Sequence, residues 1–265
     1  MTAALAMEDR AVLRVSGADA REFLQGIVTN DVASIDGAPV YAALLSPQGK
    51  YLFDFIMVAD GADILLDVAA ERAPALVQRL SLYRLRADVT IEPAGLTVVV
   101  GEGDAPDAPI LFTDPRHPEL GWRALVEDPA GFCAGVKPLA PEQVIARRVA
   151  LGVPESGFEL RPEESFILEM GFERLHGVDF HKGCYVGQEV TARMKHKTAL
   201  RKGLARVEIG GDAPPSGTEI MAGEKTAGVL WTSAGGEGLA YLRFDRIAPD
   251  MTAGSARITP IEGSW

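Results

Sequence analysis

Apolar residues near the start of the chain recur with the spacing of a helix. Ala20, Phe23, Leu24 and Ile27 stand at positions i, i+3, i+4 and i+7, so they would share one face. Comparable patterns predict further short helices, which cover residues 70–84, 141–151, 164–172 and 190–195.

Shorter apolar runs bounded by Gly, Pro, Asn or Asp predict strands. In the first half of the chain they cover residues 12–15, 41–45, 51–58, 63–68, 88–92, 96–100 and 122–126. With their covering helices, these strands predict a ferredoxin-like α+β arrangement. After Gly203 strand-like runs alternate with Gly and Pro turns, at 204–209, 219–222, 227–232, 239–244 and 257–261. That pattern predicts a small antiparallel β-barrel.

Composition limits the classes of function. The 265 residues are 47% hydrophobic and carry a net charge of -11, which argues against general nucleic-acid binding. No apolar run reaches the length of a membrane span. Two cysteines make no disulfide framework, and the four histidines lack zinc spacings, so no metal site is predicted. We therefore expect a soluble, cytoplasmic protein in a reducing compartment.

The run from residue 182 to 193 is the densest in reactive side chains. Cys184 lies between two glycines, after Lys182 and shortly before Gln188, Glu189 and Arg193. At the start of the predicted helix, the helix dipole, Lys182 and Arg193 could all stabilise a thiolate on Cys184. The alternative is a small buried cysteine in a turn, with Glu189 and Arg193 forming a surface ion pair.

Asp54 interrupts an apolar strand and falls on the same face as Leu52 and Ile56. A carboxylate on a buried face must be paired or neutralised, so Asp54 is a candidate for chemistry unless it lies at a rim that faces water. Asn30 and Asp31 follow the first predicted helix, in a loop where they could bond a ligand. Ordinary turn chemistry explains these two residues equally well.

Three stretches resemble one known family. Residues 182–189 are similar to the K-G-C-Y-x-G-Q-E signature of the YgfZ family, the folate-binding relatives of the glycine-cleavage T-protein. Residues 23–31 resemble that family's F-L-Q-G-x-x-T-N-D motif, and residues 45–50 resemble its L-x-P-x-G-K hairpin. The resemblance extends from about residue 11 to residue 245.

The resemblance implies a fold and a function. The fold would be two interleaved ferredoxin-like α+β domains and a C-terminal antiparallel β-barrel around a central folate cavity. Residues 1–48 with 141–199 would form the folate-binding domain, 49–140 the second α+β domain and 200–265 the barrel. The protein would bind tetrahydrofolate or a one-carbon derivative. It would assist the assembly or repair of iron–sulfur enzymes, with those enzymes or assembly proteins as partners.

The resemblance also implies site residues. The candidate catalytic residues are Cys184, Lys182 and Asp54. The candidate folate-binding residues are Asn30, Asp31, Asp54, Glu159, Glu169, Gln188, Glu189, Arg193 and Lys202. Arg193 and Lys202 belong to a basic cluster, which is either a solvated face or a place for the acidic tail of a folate. Glu159 and Glu169 could equally be a surface carboxylate and a member of a helix ion pair.

One departure from the T-protein pattern leaves the enzyme question open. T-proteins usually carry an arginine two residues before the glutamate that corresponds to Glu169, and here that position is Ile167. An aminomethyl- or one-carbon transferase is therefore an alternative to the accessory role. A third reading is a non-enzymatic binding module in which Cys184 only packs. Cys133 stands in an apolar run flanked by glycines and is predicted to be inert and structural.

Overall fold

The structure, a computed structural model, describes residues 2–197 and 199–263, except for the side chain of Lys197. Two compact units are present. The first comprises Met1–Ala140 with Glu173–Gln188, and the second comprises Pro141–Phe172 with Glu189–Trp265. No helix among the described residues is long and apolar enough to cross a membrane.

Among the residues that the structure describes, the first unit contains two sheets and three helices. Its strands are β1 (Ala3–Ala6), β2 (Arg10–Ser16), β3 (Val40–Leu45), β4 (Tyr51–Asp60), β5 (Asp63–Ala69), β6 (Thr90–Pro93), β7 (Thr97–Glu102), β8 (Leu111–Thr113), β9 (Trp122–Val126) and β10 (Lys137–Pro138). Its helices are α1 (Ala20–Gln25), α2 (Ala73–Arg84) and α3 (Pro129–Phe132). Short 3-10 turns lie at Val32–Asp36, Ala70–Arg72 and Pro118–Leu120.

The larger sheet of the first unit has the antiparallel order β3-β4-β5-β2-β6. Helix α2 buries Ala73, Leu76 and Leu80 in the core that this sheet forms, as the helical spacing predicts. Leu24 of α1 is fully buried in the same core. The other sheet has the order β10-β1-β7-β9-β8, in which only the pairing of β1 with β10 is parallel.

The described part of the second unit contains two helices and a barrel. The helices are α4 (Pro141–Ala150) and α5 (Gln188–Lys197), which begins on the last residue of the first unit. The barrel strands are β11 (Lys202–Gly210), β12 (Thr218–Ala222), β13 (Lys225–Ala234), β14 (Glu237–Arg243), β15 (Thr252–Ala253) and β16 (Ala256–Pro260). They close in the order β11-β14-β13-β12-β15-β16 with antiparallel neighbours. The predicted carboxy-terminal barrel is therefore confirmed.

The helix predicted over residues 164–172 does not form, and the chain there makes a series of turns. Ile167, Leu168, Met170 and Phe172 are all buried, so this segment buries more than one helical face. Gly171, with φ of 79°, takes a left-handed conformation that ends any helical run.

The structure divides into two compact units, whereas the sequence predicts three segments, and that three-segment division stays a prediction. A boundary between residues 48 and 49 falls inside the hairpin of β3 and β4, whose strands pair from Val40–Met57 to Leu45–Tyr51. A change of unit at Pro141 does coincide with the start of α4. The segment 173–188 lies in the first unit. It includes residues 182–188 of the cysteine signature.

Candidate functional site

Lys182 joins two of the sequence motifs within the first unit. Its ammonium Nζ donates to the carbonyl oxygens of Gln25 at 2.8 Å, Val28 at 2.6 Å and Asn30 at 3.0 Å. These carbonyls lie at the end of α1 and in the loop that follows, where no helical N–H is left to bond them. The lysine of the cysteine signature therefore closes the F-L-Q-G-x-x-T-N-D loop.

This environment changes the acidity of the lysine. Burial lowers the pKa of Lys182 to about 8, although the charges of Asp31 and Asp179 oppose that shift. The sequence predicts that Lys182 stabilises a thiolate on Cys184. Because its ammonium is already committed to three carbonyl oxygens, the structure favours a positioning role for Lys182 over that electrostatic one.

Gly187 joins the signature to the third motif. Its φ is 83°, and a Cβ on it would lie only 2.6 Å from the carbonyl oxygen of Ser46. Ser46 opens the turn of the β3–β4 hairpin, where the N–H of Ser46 donates to Lys50 O at 2.8 Å and that of Gly49 to Ser46 O at 2.8 Å. Only glycine allows this approach. All three motifs thus meet within the first unit.

Cys184 lies at this meeting point and is exposed. Tyr185 beside it is buried, and the Lys182 ammonium lies 5.3 Å from the centroid of the Tyr185 ring. A Cβ on Gly183 would meet no atom within 4 Å, so the space next to the cysteine is open. The thiol therefore stands on a loop that is anchored before it by Lys182 and after it by Tyr185 and Gly187.

Cys133 differs from Cys184 in its surroundings. It follows α3 and is partly buried against the apolar cluster around Trp122. Burial raises the pKa of the Cys133 thiol, which lowers its thiolate fraction at neutral pH. Its predicted structural role fits this position.

The side chains of Asn30 and Asp31 both make hydrogen bonds within the first unit. The Asn30 amide donates to the carbonyl oxygens of Tyr41 at 2.9 Å and His176 at 2.6 Å. Asp31 accepts from the side chain of Gln25 at 2.8 Å and caps the following 3-10 turn. Turn chemistry therefore accounts for Asp31, whereas Asn30 connects its loop to β3 and to the segment that contains His176. A folate contact for either residue stays a prediction.

Asp54 is buried, so the rim that the sequence left open as an alternative is wrong. Only 4% of the residue is exposed. The Tyr41 hydroxyl donates to Oδ2 at 3.0 Å and the Tyr51 hydroxyl donates to Oδ1 at 2.7 Å. Burial, together with the Asp54 charge, raises the pKa of Tyr41 well above its ordinary value, so this phenol stays a donor. Each carboxylate oxygen keeps acceptor capacity for a further N–H.

A chain of buried charges connects the two sheets of this unit, and the sequence reasoning missed it. Arg10 on β2 donates to Asp67 on β5 at 2.7 Å, and Arg123 on β9 donates to Asp67 at 2.6 Å and to Asp114 at 2.7 Å. Arg116 then binds both oxygens of Asp114, at 3.0 and 2.7 Å. Charged residues inside the apolar runs of β5 and β9 were the available signal.

Glu169 and Lys202 lie together in the second unit. The Tyr241 hydroxyl donates to the Glu169 carboxylate, and Lys202 Nζ lies 3.8 Å from it. Burial, with the hydrogen bond and charge of Glu169, raises the pKa of Tyr241. The two residues border a pocket with three cationic side chains and an apolar wall, lined by Glu169, Met194, Ala199, Leu200, Arg201, Lys202 and Arg243.

Glu159 has a structural environment. Its side chain is fully buried, and it accepts from Arg148 at 2.8 Å, from the Glu155 N–H at 3.0 Å and from the Thr232 hydroxyl. These bonds connect α4 to β13 within the second unit. They favour a structural role for Glu159 over the predicted folate contact.

The remaining candidates lie on α5. Gln188 begins the helix, and its N–H donates to Tyr185 O at 3.2 Å. Glu189 and Arg193 are exposed. Folate contacts by these three residues stay predictions.

Known proteins resemble this chain at three levels. Residues 201–265 match the family model described as the CAF17 C-terminal beta-barrel domain. The fold is similar to the crystal structure of glycine cleavage system aminomethyltransferase T from Bartonella henselae, with a TM-score of 0.80 over 98% of this chain and 84% of that one. At 14% identity, this likeness shows the fold alone.

Curated relatives establish the family. The chain is 33% identical to the mitochondrial iron–sulfur cluster assembly factor IBA57 of Homo sapiens and of Mus musculus, over 91% of its own length and 77% of theirs. The chain belongs to the IBA57 family. A fungal member of the IBA57 family, from Mycosarcoma maydis, is 32% identical over 78% of the chain and 58% of its own length.

Membership in the IBA57 family refines the sequence resemblance. The motifs resemble those of the YgfZ family, whereas the relatives just described are named as IBA57 proteins. Those relatives are named as mitochondrial, so the predicted cytoplasmic location of this chain stays a prediction.

Proposed function

We propose that this IBA57-family protein is a tetrahydrofolate-binding accessory factor for the assembly or repair of iron–sulfur proteins, with Cys184 as its working group. The observation that carries the proposal is the exposed Cys184 thiol on a loop anchored on both sides. The name of the relatives, iron–sulfur cluster assembly factor, supports the process in which that thiol acts.

The thiol would act together with a partner. Iron–sulfur clusters are usually held by several cysteine thiolates, and this chain has only Cys133 and Cys184. Cys184 would therefore supply one thiolate to a cluster that a partner protein also holds, or attack a disulfide of that partner, which forms a mixed disulfide and releases the other sulfur of the partner as a thiolate. The cluster is then cargo, which the protein helps to pass on.

Each unit offers one folate contact of its own. In the first unit, the Asp54 carboxylate retains acceptor capacity and suits the adjacent amino and ring N–H donors of a pterin. In the second unit, the cations Arg201, Lys202 and Arg243 beside apolar Met194 suit an aryl group with an acidic tail. Each contact, taken by itself, fits one part of a reduced folate, and the predicted central cavity stays a prediction.

The alternatives fit the structure less well. Ile167 is buried and apolar, so it supplies no cation where the T-protein pattern has an arginine. A transferase site that depends on charge stabilisation would lack that contact. A module in which Cys184 merely packs does not fit an exposed thiol.

The test combines rescue and binding. In cells that lack the protein, the Cys184→Ser variant should fail to restore the activity of an iron–sulfur enzyme, whereas the matched Cys133→Ser variant should restore it. Calorimetry with tetrahydrofolate should detect binding that Asp54→Asn and Lys202→Met each weaken. Full rescue by Cys184→Ser would refute the role of the thiol, and no binding at millimolar tetrahydrofolate would refute the role of the folate.

A further inference from the structure

The two most exposed large apolar side chains of the described residues lie three positions apart, at the end of α2. Leu82 is 68% exposed and Leu85 is 90% exposed. Leu82 comes two positions after the buried Leu80, so it lies on the side of the helix that faces away from the core. A single exposed leucine is ordinary, whereas a group of them rimmed by polar residues marks an interaction site.

The backbone at Leu85 is strained. Its φ is 46° and its ψ is -102°. The Ala87 N–H donates to Arg84 O at 2.8 Å, so residues 84–87 form a tight turn with Leu85 at the second position. These angles are close to those of a type II′ turn, whose second position is usually glycine because a positive φ crowds any Cβ. The chain therefore places a leucine, almost fully exposed, where glycine would fit better, and strain of this kind concentrates at binding sites.

The rest of the first unit holds this turn in place. The Asp19 N–H donates to Asp88 O at 3.2 Å, and the Asp88 N–H donates to the Asp19 carboxylate at 2.8 Å. A Cβ on Gly17 would lie 2.1 Å from the same Asp88 oxygen, so the segment before α1 packs directly against the turn. Val89, which follows, is buried in the core. Leu85 thus stands on a fixed turn, and a partner could bind it without first ordering the backbone.

The surroundings of the two leucines are positively charged. Residues 73–87 contain no Asp or Glu but three arginines, which are Arg79, Arg84 and Arg86. The whole chain, by contrast, has a net charge of -11. The first of these arginines precedes Leu82 by three positions, so the two are neighbours on the helix surface, and the other two flank Leu85. Apolar anchors beside arginines are typical of the residues that dominate binding energy at protein interfaces.

We propose that this α2 surface, formed by Arg79, Leu82, Arg84, Leu85 and Arg86, is a docking site for an acidic partner protein whose apolar pocket receives Leu85. The arginines favour a carboxylate-rich rim around that pocket, since opposite charges attract across an interface and like charges exclude a partner. The inference goes beyond the proposed function and depends on neither Cys184 nor a folate.

A protein fits this surface better than an anionic membrane does. A helix that lies on a membrane presents an apolar face along its length. The apolar face of α2 is already used, because Ala73, Leu76 and Leu80 are buried in the core. Gln78 and Ser81, on the exposed side, are polar. Two leucines at one end of the helix suit a pocket of limited size.

Photo-crosslinking in cells identifies the partner while the α2 surface stays intact. The probe is p-benzoylphenylalanine in place of Gln78, which is exposed one helical turn before Leu82. The same probe in place of Ile145, an exposed apolar residue of α4, is the control. We expect an acidic protein to be captured from position 78 and not from position 145. That protein is then purified and titrated by calorimetry with the full-length chain.

Leu85→Gly separates docking from folding. It relieves the strained turn, so its melting temperature should equal or exceed that of the parent. Its affinity for the captured protein should nevertheless fall at least about tenfold, because the anchor is lost. Ile145→Ser, which removes an apolar side chain that is 39% exposed, should bind like the parent. Weaker binding in a variant that folds at least as well cannot be a consequence of unfolding.

Charge is tested at Arg86, which is exposed. Arg86→Glu should weaken the complex, and Arg86→Lys should largely retain it. Raising the sodium chloride concentration from about 0.05 M to about 0.3 M should weaken the parent complex more than that of Arg86→Glu, because salt screens the attraction.

Several results would overturn the inference. They are capture of a second copy of this chain or of a basic protein, equal affinity of Leu85→Gly and the parent, and no capture specific to position 78. Binding to phosphatidylserine vesicles that requires Leu85 would show that the occupant is a membrane. Cys184→Ser should bind the captured protein as the parent does, even where it fails to rescue an iron–sulfur enzyme. A partner that binds only through Cys184 would refute the α2 surface and leave the proposed role of the thiol standing.

Discussion

The backbones of Gly187, in the cysteine signature, and Ser46, in the β3–β4 turn, are in contact. The space beside the Gly187 Cα admits its hydrogen atom but not a Cβ. A Cβ on Gly187 would lie 2.6 Å from Ser46 O and 3.1 Å from the Cα of Gly49. This contact fixes the distance between the loop that carries Cys184 and the larger sheet. It explains physically why position 187 of the signature is a glycine.

Gly187→Ala should therefore destabilise the protein by roughly 2 kcal/mol or more, because alanine is strained at a positive φ and the clash is with backbone. Gly183→Ala is the matched control, since a Cβ there meets open space. Urea unfolding of both variants measures the difference. Equal stability of the two would show that the loop yields at Gly187.

The sequence predicts the β-structure better than the helices. The apolar run at 51–58 is bounded by turn residues on both sides, and the strand observed is Tyr51–Asp60. The helix predicted at 164–172 is wrong because its apolar residues are buried on several sides rather than along one stripe. Such burial depends on tertiary neighbours, which local spacing does not reveal.

For the candidate site, too, the sequence predicts local features but not contacts between distant segments. The motif at 182–189 identifies an exposed cysteine and the lysine before it, but not that this lysine would bind the carbonyls of Gln25, Val28 and Asn30. The partners lie about 150 residues away in sequence, and pairings over that distance have no local signal. Asp54 was identifiable as a charge in an apolar strand, and the same argument would have found Asp67 and Arg123.

Lys182→Met should loosen the loop at residues 25–30. The substitution leaves three carbonyl oxygens without their shared donor, and hydrogen bonds from a charged group contribute about 1.5–3 kcal/mol each before the cost of burying the ammonium is subtracted. We expect a net loss on the order of 2 kcal/mol at pH 7, and faster hydrogen exchange in the loop. Lys225→Met, at an exposed lysine of β13, is the control for removal of a surface charge.

The pH dependence of that loss has a definite sign. Burial lowers the pKa of Lys182 in the folded protein to about 8, below the 10.5 of an ordinary lysine. Between these values the unfolded chain binds more protons than the folded one, so folding becomes more favourable as the pH rises. The parent should therefore gain stability relative to Lys182→Met as the pH rises from about 8 toward 10.5. A stability difference that shrinks over this range would contradict the assigned environment.

Tyr51→Phe should destabilise the first unit by about 1.5–3 kcal/mol, because it removes a donor to the buried carboxylate of Asp54. The substitution changes shape very little, so packing is nearly conserved. Tyr83→Phe, at a partly buried tyrosine on α2, provides the matched comparison and should cost less than about 0.5 kcal/mol. Thermal unfolding of both variants would measure the effect, and equal costs would mean that Asp54 gains little from the Tyr51 hydroxyl.

Alkylation should distinguish the two cysteines. Cys184 is exposed next to open space at Gly183, whereas Cys133 is partly buried and burial raises the pKa of its thiol. Because the thiolate is the reactive form and access limits the encounter, Cys184 should react at least about tenfold faster with iodoacetamide at pH 7.5. Mass spectrometry of the native protein after timed quenching measures both rates in one sample. Cys184→Ser should remove the fast phase and Cys133→Ser should keep it. The opposite assignment would place the reactive thiol next to Trp122 and refute the role proposed for the signature loop.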